Sequence, residues 1–239
     1  MGNMKKVIMA AAVASMGLSA VAHAQSSKFS AATSDHVLLS GTASDFETVL
    51  STGIKTPSQK DLFVQASFEC GVFTQTYVLS SLLEPFTSSA EAIVRARVVL
   101  DPGTANERLA FPGEITLCSR EQTMTAEFAG QCDDANDDGT ITADECEDES
   151  VDLAIKTLAA NAFNFVLTDL ESGEHVIAVQ AQIETATSDD AAGAVAIVGN
   201  GSLGVEEVRM VKSLEVQDDP AGSGDDTWEA FDALIDLGQ

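Results

Sequence analysis

Aromatic and basic side chains are scarce in this sequence. Aromatics make up 5% of its 239 residues, with one Trp and one Tyr, and 12 Lys and Arg stand against 38 Asp and Glu. The formal charge of −26 repels nucleic acid and anionic lipid, so neither nucleic acid nor membrane is expected as a partner. A sugar-binding face built on stacked rings has little to draw on, because Trp228 and Tyr77 lie far apart in the chain. Neither H-E-x-x-H nor G-x-S-x-G occurs, which removes two common hydrolase signatures. Beyond residue 21 no apolar run is long enough to span a bilayer as a helix.

What is present begins with an export leader. Lys5 and Lys6 form a positive start, Val7 to Val21 is mostly apolar and rich in small residues, and Ala22-His23-Ala24 is an A-x-A cleavage site. Residues 1–24 therefore read as a signal peptide, and the protein as periplasmic or extracellular after cleavage following Ala24. Removing the leader takes away two lysines and no acids, so the charge moves from −26 to −28 and the length from 239 to 215. No cysteine follows the cleavage site, so no lipid anchor of the lipoprotein kind is expected.

The exported chain reads as all-β. Leu62, Val64, Ala66, Phe68 and Cys70 alternate with Phe63, Gln65, Ser67 and Glu69. That period of two places the first set on one buried face. Ala92, Val94, Ala96, Val98 and Leu100 repeat the pattern, and Asp101-Pro102-Gly103 stops it. Residues 107–118 and 122–128 predict a hairpin with Met124, Ala126 and Phe128 on one side. Residues 163–170 predict a strand, Glu171-Ser172-Gly173 a hairpin turn, and Ile177, Val179, Ala181 and Ile183 an inward face. Two more strands, 192–198 and 203–211, flank Gly199-Asn200-Gly201. Eight to ten short strands with regular turns point to an antiparallel β-sandwich, jelly-roll or Ig-like, over 45–216. Residues 25–44 read as a flexible start holding a first strand at most.

Two helices are expected within this plan. Over 143–160 the period lengthens, and Val151, Ala154, Ile155, Leu158 and Ala159 fall on one helical stripe. After an acidic linker, the tail (217–239) places Trp228, Phe231, Leu234 and Ile235 on an amphipathic helix, with Asp226 and Glu229 as a capping box. This helix either docks on its own domain or mediates self-association or partner binding.

The densest chemistry lies in Asp134-Ala-Asn136-Asp-Asp138-Gly139-Thr140-Ile-Thr142-Ala-Asp-Glu145. Ca²⁺ is a hard ion that takes six to eight oxygens. Alternate short side chains at Asp134, Asn136 and Asp138 converge on one point, and Gly139 lets the chain turn sharply. Thr140 offers a backbone carbonyl, Thr142 a hydroxyl or a bound water, and Glu145 two oxygens. The stretch resembles the EF-hand-type loop of dockerin modules, in which no helix need lead in but one leads out. The resemblance covers this loop alone, and it implies one bound Ca²⁺ as the cofactor.

Cys70, Cys118, Cys132 and Cys146 are an even set in an exported chain, which predicts two disulfides. Cys132–Cys146 would bracket the ion loop and leave Cys70–Cys118, while Cys118–Cys132 would instead staple the preceding hairpin. The spacing does not suit zinc, for which only His36 and His175 remain as imidazoles. His175 reads as a surface or edge residue rather than a catalytic base. The expected role is structural or in surface interaction, adhesion or matrix assembly, with calcium stabilising the fold and an unidentified protein or surface as partner. A calcium-stabilised extracellular hydrolase is the alternative, followed by a carbohydrate-binding module.

Overall fold

Period-two alternation becomes two packed antiparallel sheets. The structure, a computed structural model, describes residues 28–41, 43–79, 86–126, 139 and 150–211. Ten strands follow in order: β1 (Phe29–Ser34), β2 (Leu39–Gly41), β3 (Ala43–Thr56), β4 (Lys60–Leu79), β5 (Phe86–Leu100), β6 (Arg108–Leu109), β7 (Ile115–Ala126), β8 (Ser150–Leu170), β9 (Gly173–Thr187) and β10 (Gly193–Val208). The first sheet runs β1-β10-β4-β8, with β2 also on β10, and the second runs β3-β9-β5-β6, with β7 also on β5. No helix among the described residues is long and apolar enough to cross a membrane.

The core is the set of inward positions that alternation marks. Leu62, Val64, Ala66, Phe68 and Cys70 of β4 are buried against Val94, Ala96 and Val98 of β5 and Ile177, Val179, Ala181 and Ile183 of β9. Toward the far end of β4 the interior turns polar. Thr74 and Thr76 are fully buried, Thr74 donates to Gln122 Oε1 at 3.0 Å, and Gln122 Nε2 donates to Thr76 at 2.6 Å and to the Leu153 carbonyl at 2.8 Å. A buried amide tolerates this position because its donors and acceptor find partners.

Several local expectations give way to long-range pairing. The helix expected over 143–160 is absent from Ser150 onward, where β8 pairs with β4 continuously from Leu79↔Ser150 to Leu62↔Leu167. Residues 143–149 and the expected tail helix lie outside the described residues. The helical stripe misleads because most of β8 before Phe165 is exposed on both faces, so burial imposes no alternation there. The hairpin expected across 107–128 is instead the single strand β7 on β5, with β6 separate. The polar middle of β7 continues the strand: Arg120 and Gln122 point into the polar interior, where Arg120 donates to Thr157 and Gln122 to the Leu153 carbonyl. Phe128 lies outside the described residues.

Gly199-Asn200-Gly201 is a bulge within one strand rather than a turn between two. The β10–β4 register shifts between Val198 and Gly201. Glu171-Ser172 joins strands of different sheets and closes no hairpin. The described part of the segment expected to be a flexible start holds β1 and β2, both on the edge of β10, one on each side of its bulge.

Candidate functional site

In the sequence, Asp134–Glu145 falls between β7 and β8, which are edge strands of opposite sheets. Residues 127–149 leave β7 at Ala126 and enter β8 at Ser150, so this segment crosses from one sheet to the other. It does so at the end where Gln122 and the buried threonines sit. Asp134, Asn136, Asp138, Thr140, Thr142, Glu145, Cys132 and Cys146 lie outside the described residues. Gly139 is described, exposed, with a φ of +77°. Side chains strongly disfavour that left-handed conformation and glycine does not, and it is what the sixth position of such a loop demands. Among the described residues, no group of three or more His, Cys, Asp or Glu could hold a metal ion.

Cys70 and Cys118 form a disulfide with a Cα–Cα distance of 6.3 Å. It ties β4 of one sheet to β7 of the other, within the usual span for such a bridge.

The opposite end carries an arrangement that sequence reading missed. His175 Nδ1 lies 2.8 Å from Asp101 Oδ2, and His175 Nε2 lies 3.0 Å from the Glu171 carbonyl oxygen. Asp101 Oδ1 also accepts the Val176 N–H at 2.7 Å, and the Asp101 N–H donates to the Val176 carbonyl at 2.7 Å. The His175 side chain is 12% exposed, so it is largely covered rather than a surface group. Both ring nitrogens are engaged, which leaves neither free to take a proton from a substrate. With Gly53, Ile54, Lys55, Glu174 and Val176, His175 lines a shallow cleft of about 330 Å³. Asp101-Pro102-Gly103 was legible as a strand stop, but nothing near it in sequence names His175 as its partner.

On the outer face of the second sheet, Arg95 lies 3.8 Å from Glu114 and 3.5 Å from Glu184. Glu91 is held above the usual carboxylate range by burial first, then by Glu121 and Glu184, with Arg95 opposing. The Arg97 guanidinium lies 4.0 Å from the centre of the Phe46 ring and donates to Gln180 at 2.8 Å. These groups stiffen the face without assembling a reactive centre.

No protein-family model matches this chain, and no curated protein does. Among solved structures it is similar to a CocE/NonD family hydrolase from Staphylococcus aureus, at 10% identity over 77% of this chain and 37% of that one, with a TM-score of 0.25. It is also similar to the infectious bursal disease virus Gx strain structure, at 13% identity over 89% and 48%, with a TM-score of 0.15. The VP2 subviral particle of that virus matches at 12% identity over 89% and 49%, with a TM-score of 0.20. The chain spans less than half the length of each, and likeness at this level carries no function across.

Proposed function

We propose that this is an exported jelly-roll protein whose loop Asp134–Glu145 binds one Ca²⁺ as a structural ion, and whose role is surface interaction or matrix assembly rather than chemistry. The strand path supports a jelly roll over an Ig-like sandwich: β2 to β5 alternate between sheets at every step, as do β7 to β10. The inter-sheet disulfide is consistent with an oxidising compartment. The observation that carries the ion reading is the left-handed Gly139, set in a sequence with oxygen ligands at every required spacing. A clamp between two sheet edges is where an ion would stabilise a strongly acidic body, because its charge offsets carboxylate repulsion as the loop closes.

Calorimetric titration of the exported chain with CaCl₂ tests this. One ion per chain is expected, with affinity in the extracellular range of about 10⁻⁴–10⁻³ M. At free calcium tenfold above Kd, stability should rise by roughly 1.4 kcal/mol. Glu145→Gln should abolish most of the calcium-dependent rise in Tm and leave the apo Tm near that of the wild type. Absence of binding at millimolar calcium, or a Tm indifferent to calcium and chelator, sinks the reading.

A further inference from the structure

Among the described residues, the outer edge of β8 from Ser150 to Asn164 is unpaired and carries no net charge, in an otherwise very acidic protein. Val151, Leu153 and Leu158 on this stretch are 38%, 42% and 60% exposed. It contains no proline and none of the clustered charge with which edge strands usually resist pairing. Its charged residues are Asp152 and Lys156, which cancel. The neighbouring stretches, Gly71–Val78 of β4 and Gly193–Val198 of β10, carry no charged side chain. At a net charge of −26 two copies repel, and Ser150–Asn164 adds no net charge to that repulsion, which comes from elsewhere in the chain, the acidic run Asp144–Glu149 just before it included.

The edge is also self-complementary. In an antiparallel strand pair related by a two-fold axis, residue i faces the residue equally far on the other side of the axis. With the axis at Ala154, Asp152 faces Lys156 of the second copy, and the pair occurs twice. The same register sets Leu153 against Ile155 and Val151 against Thr157, all on the face of β8 toward the second sheet. Asp152 is held in place by Gln75 Nε2, at 2.9 and 2.8 Å from its two oxygens, and a carboxylate retains acceptor capacity beyond that.

We propose that β8 is a self-association edge: it pairs antiparallel with β8 of a second copy about Ala154, joining the two first sheets into one continuous sheet. The partner is this chain itself, recognised through backbone pairing and two Asp152–Lys156 contacts. The inference does not rest on calcium, and the association is expected with calcium or with chelator.

Sedimentation equilibrium of the exported chain tests it together with charge variants. The wild type should form dimers. Asp152→Lys and Lys156→Asp should each weaken dimerisation by ~tenfold or more, since each sets like charges opposite one another. An equimolar mixture of the two variants should recover association as a heterodimer. There the introduced lysine meets the introduced aspartate, and Lys156 meets Asp152. Carbodiimide coupling of the wild type supplies a readout that needs no variant. Residues four apart on one strand are about 13 Å apart, so a zero-length link between Lys156 and Asp152 forms only between chains. A wild type that stays monomeric up to about 100 µM overturns the proposal. So does a dimer lacking that link, or one whose strength ignores both charge variants.

Discussion

His175 is the residue whose chemistry tertiary structure changes most. The Glu171 carbonyl can only accept, so Nε2 must donate to it, and the Asp101 carboxylate draws a second proton to Nδ1. The ring is therefore favoured as imidazolium. Burial opposes that charge, as does Arg108 nearby. The Asp101 hydrogen bond, the Glu171 carbonyl and the charge on Asp101 outweigh both, so the His175 pKa stands above its ordinary 6.5. A raised folded-state pKa contributes stability that is complete below the unfolded value and is lost as pH rises through the folded one. Urea titrations should show that contribution intact below about pH 6.5 and fading above it. Asp101→Asn should flatten this dependence. His175→Ala should cost about 1.5 kcal/mol at pH 6, the low end for hydrogen bonds to a charged group, because the corner is partly open to water. A His175→Ala stability curve parallel to the wild type from pH 5 to about pH 8 would refute the account. None of this was legible in sequence, because Asp101 and His175 are 74 residues apart.

Legibility among the strands tracks how each is covered. β4, β5 and β9 are central strands with a face packed on the opposite sheet, so apolar residues at every second position were a reliable record of that face. β8 is an edge strand, and its Ala-rich exposed half satisfies a helical stripe as readily as a strand. β4 settles the matter by pairing with it residue for residue from Leu79↔Ser150 to Leu62↔Leu167. In β10 the two glycines that suggested a turn serve a close approach instead. A Cβ added at Gly201 would lie 2.3 Å from Cδ1 of Phe68, whose ring is buried, and 3.3 Å from Cδ1 of Leu50. Gly201→Ala should therefore destabilise by about 1–3 kcal/mol, as overpacking does. Gly204→Ala, whose Cβ would meet the exposed Phe29 ring at 3.4 Å, should stay within about 0.5 kcal/mol. Equal denaturation midpoints for the two variants would count against this packing.

Across the whole molecule, two sheets must stay together while an excess of carboxylates repels. The apolar core holds one end of the interface and a hydrogen-bonded amide and threonines the other, with the Cys70–Cys118 bridge between them. With the cysteines 48 positions apart in the sequence, the chain-entropy account gives about 4 kcal/mol of stabilisation. The Cys70→Ala/Cys118→Ala double variant should unfold at lower urea by that amount and keep its far-ultraviolet spectrum, since core and ladders remain. A loss below about 1 kcal/mol would mean the bridge closes contacts already fixed by packing.

The β class, the inward faces of β4, β5 and β9, and the stop at Asp101 are all readable from neighbouring residues, because each is recorded locally in the chain. Alternation reports burial of a face, and burial is a property each residue carries locally. Tertiary structure alone decided which strands share a sheet, that Glu171-Ser172 crosses between sheets, and that Gly199 and Gly201 flank a bulge. It also decided that 150–160 is a strand. These outcomes depend on register between segments far apart in the chain, such as Val64↔Val205 and Leu50↔Val179. A ladder of backbone hydrogen bonds outweighs the weak local preference of a short segment, and no window of neighbouring residues contains its partner.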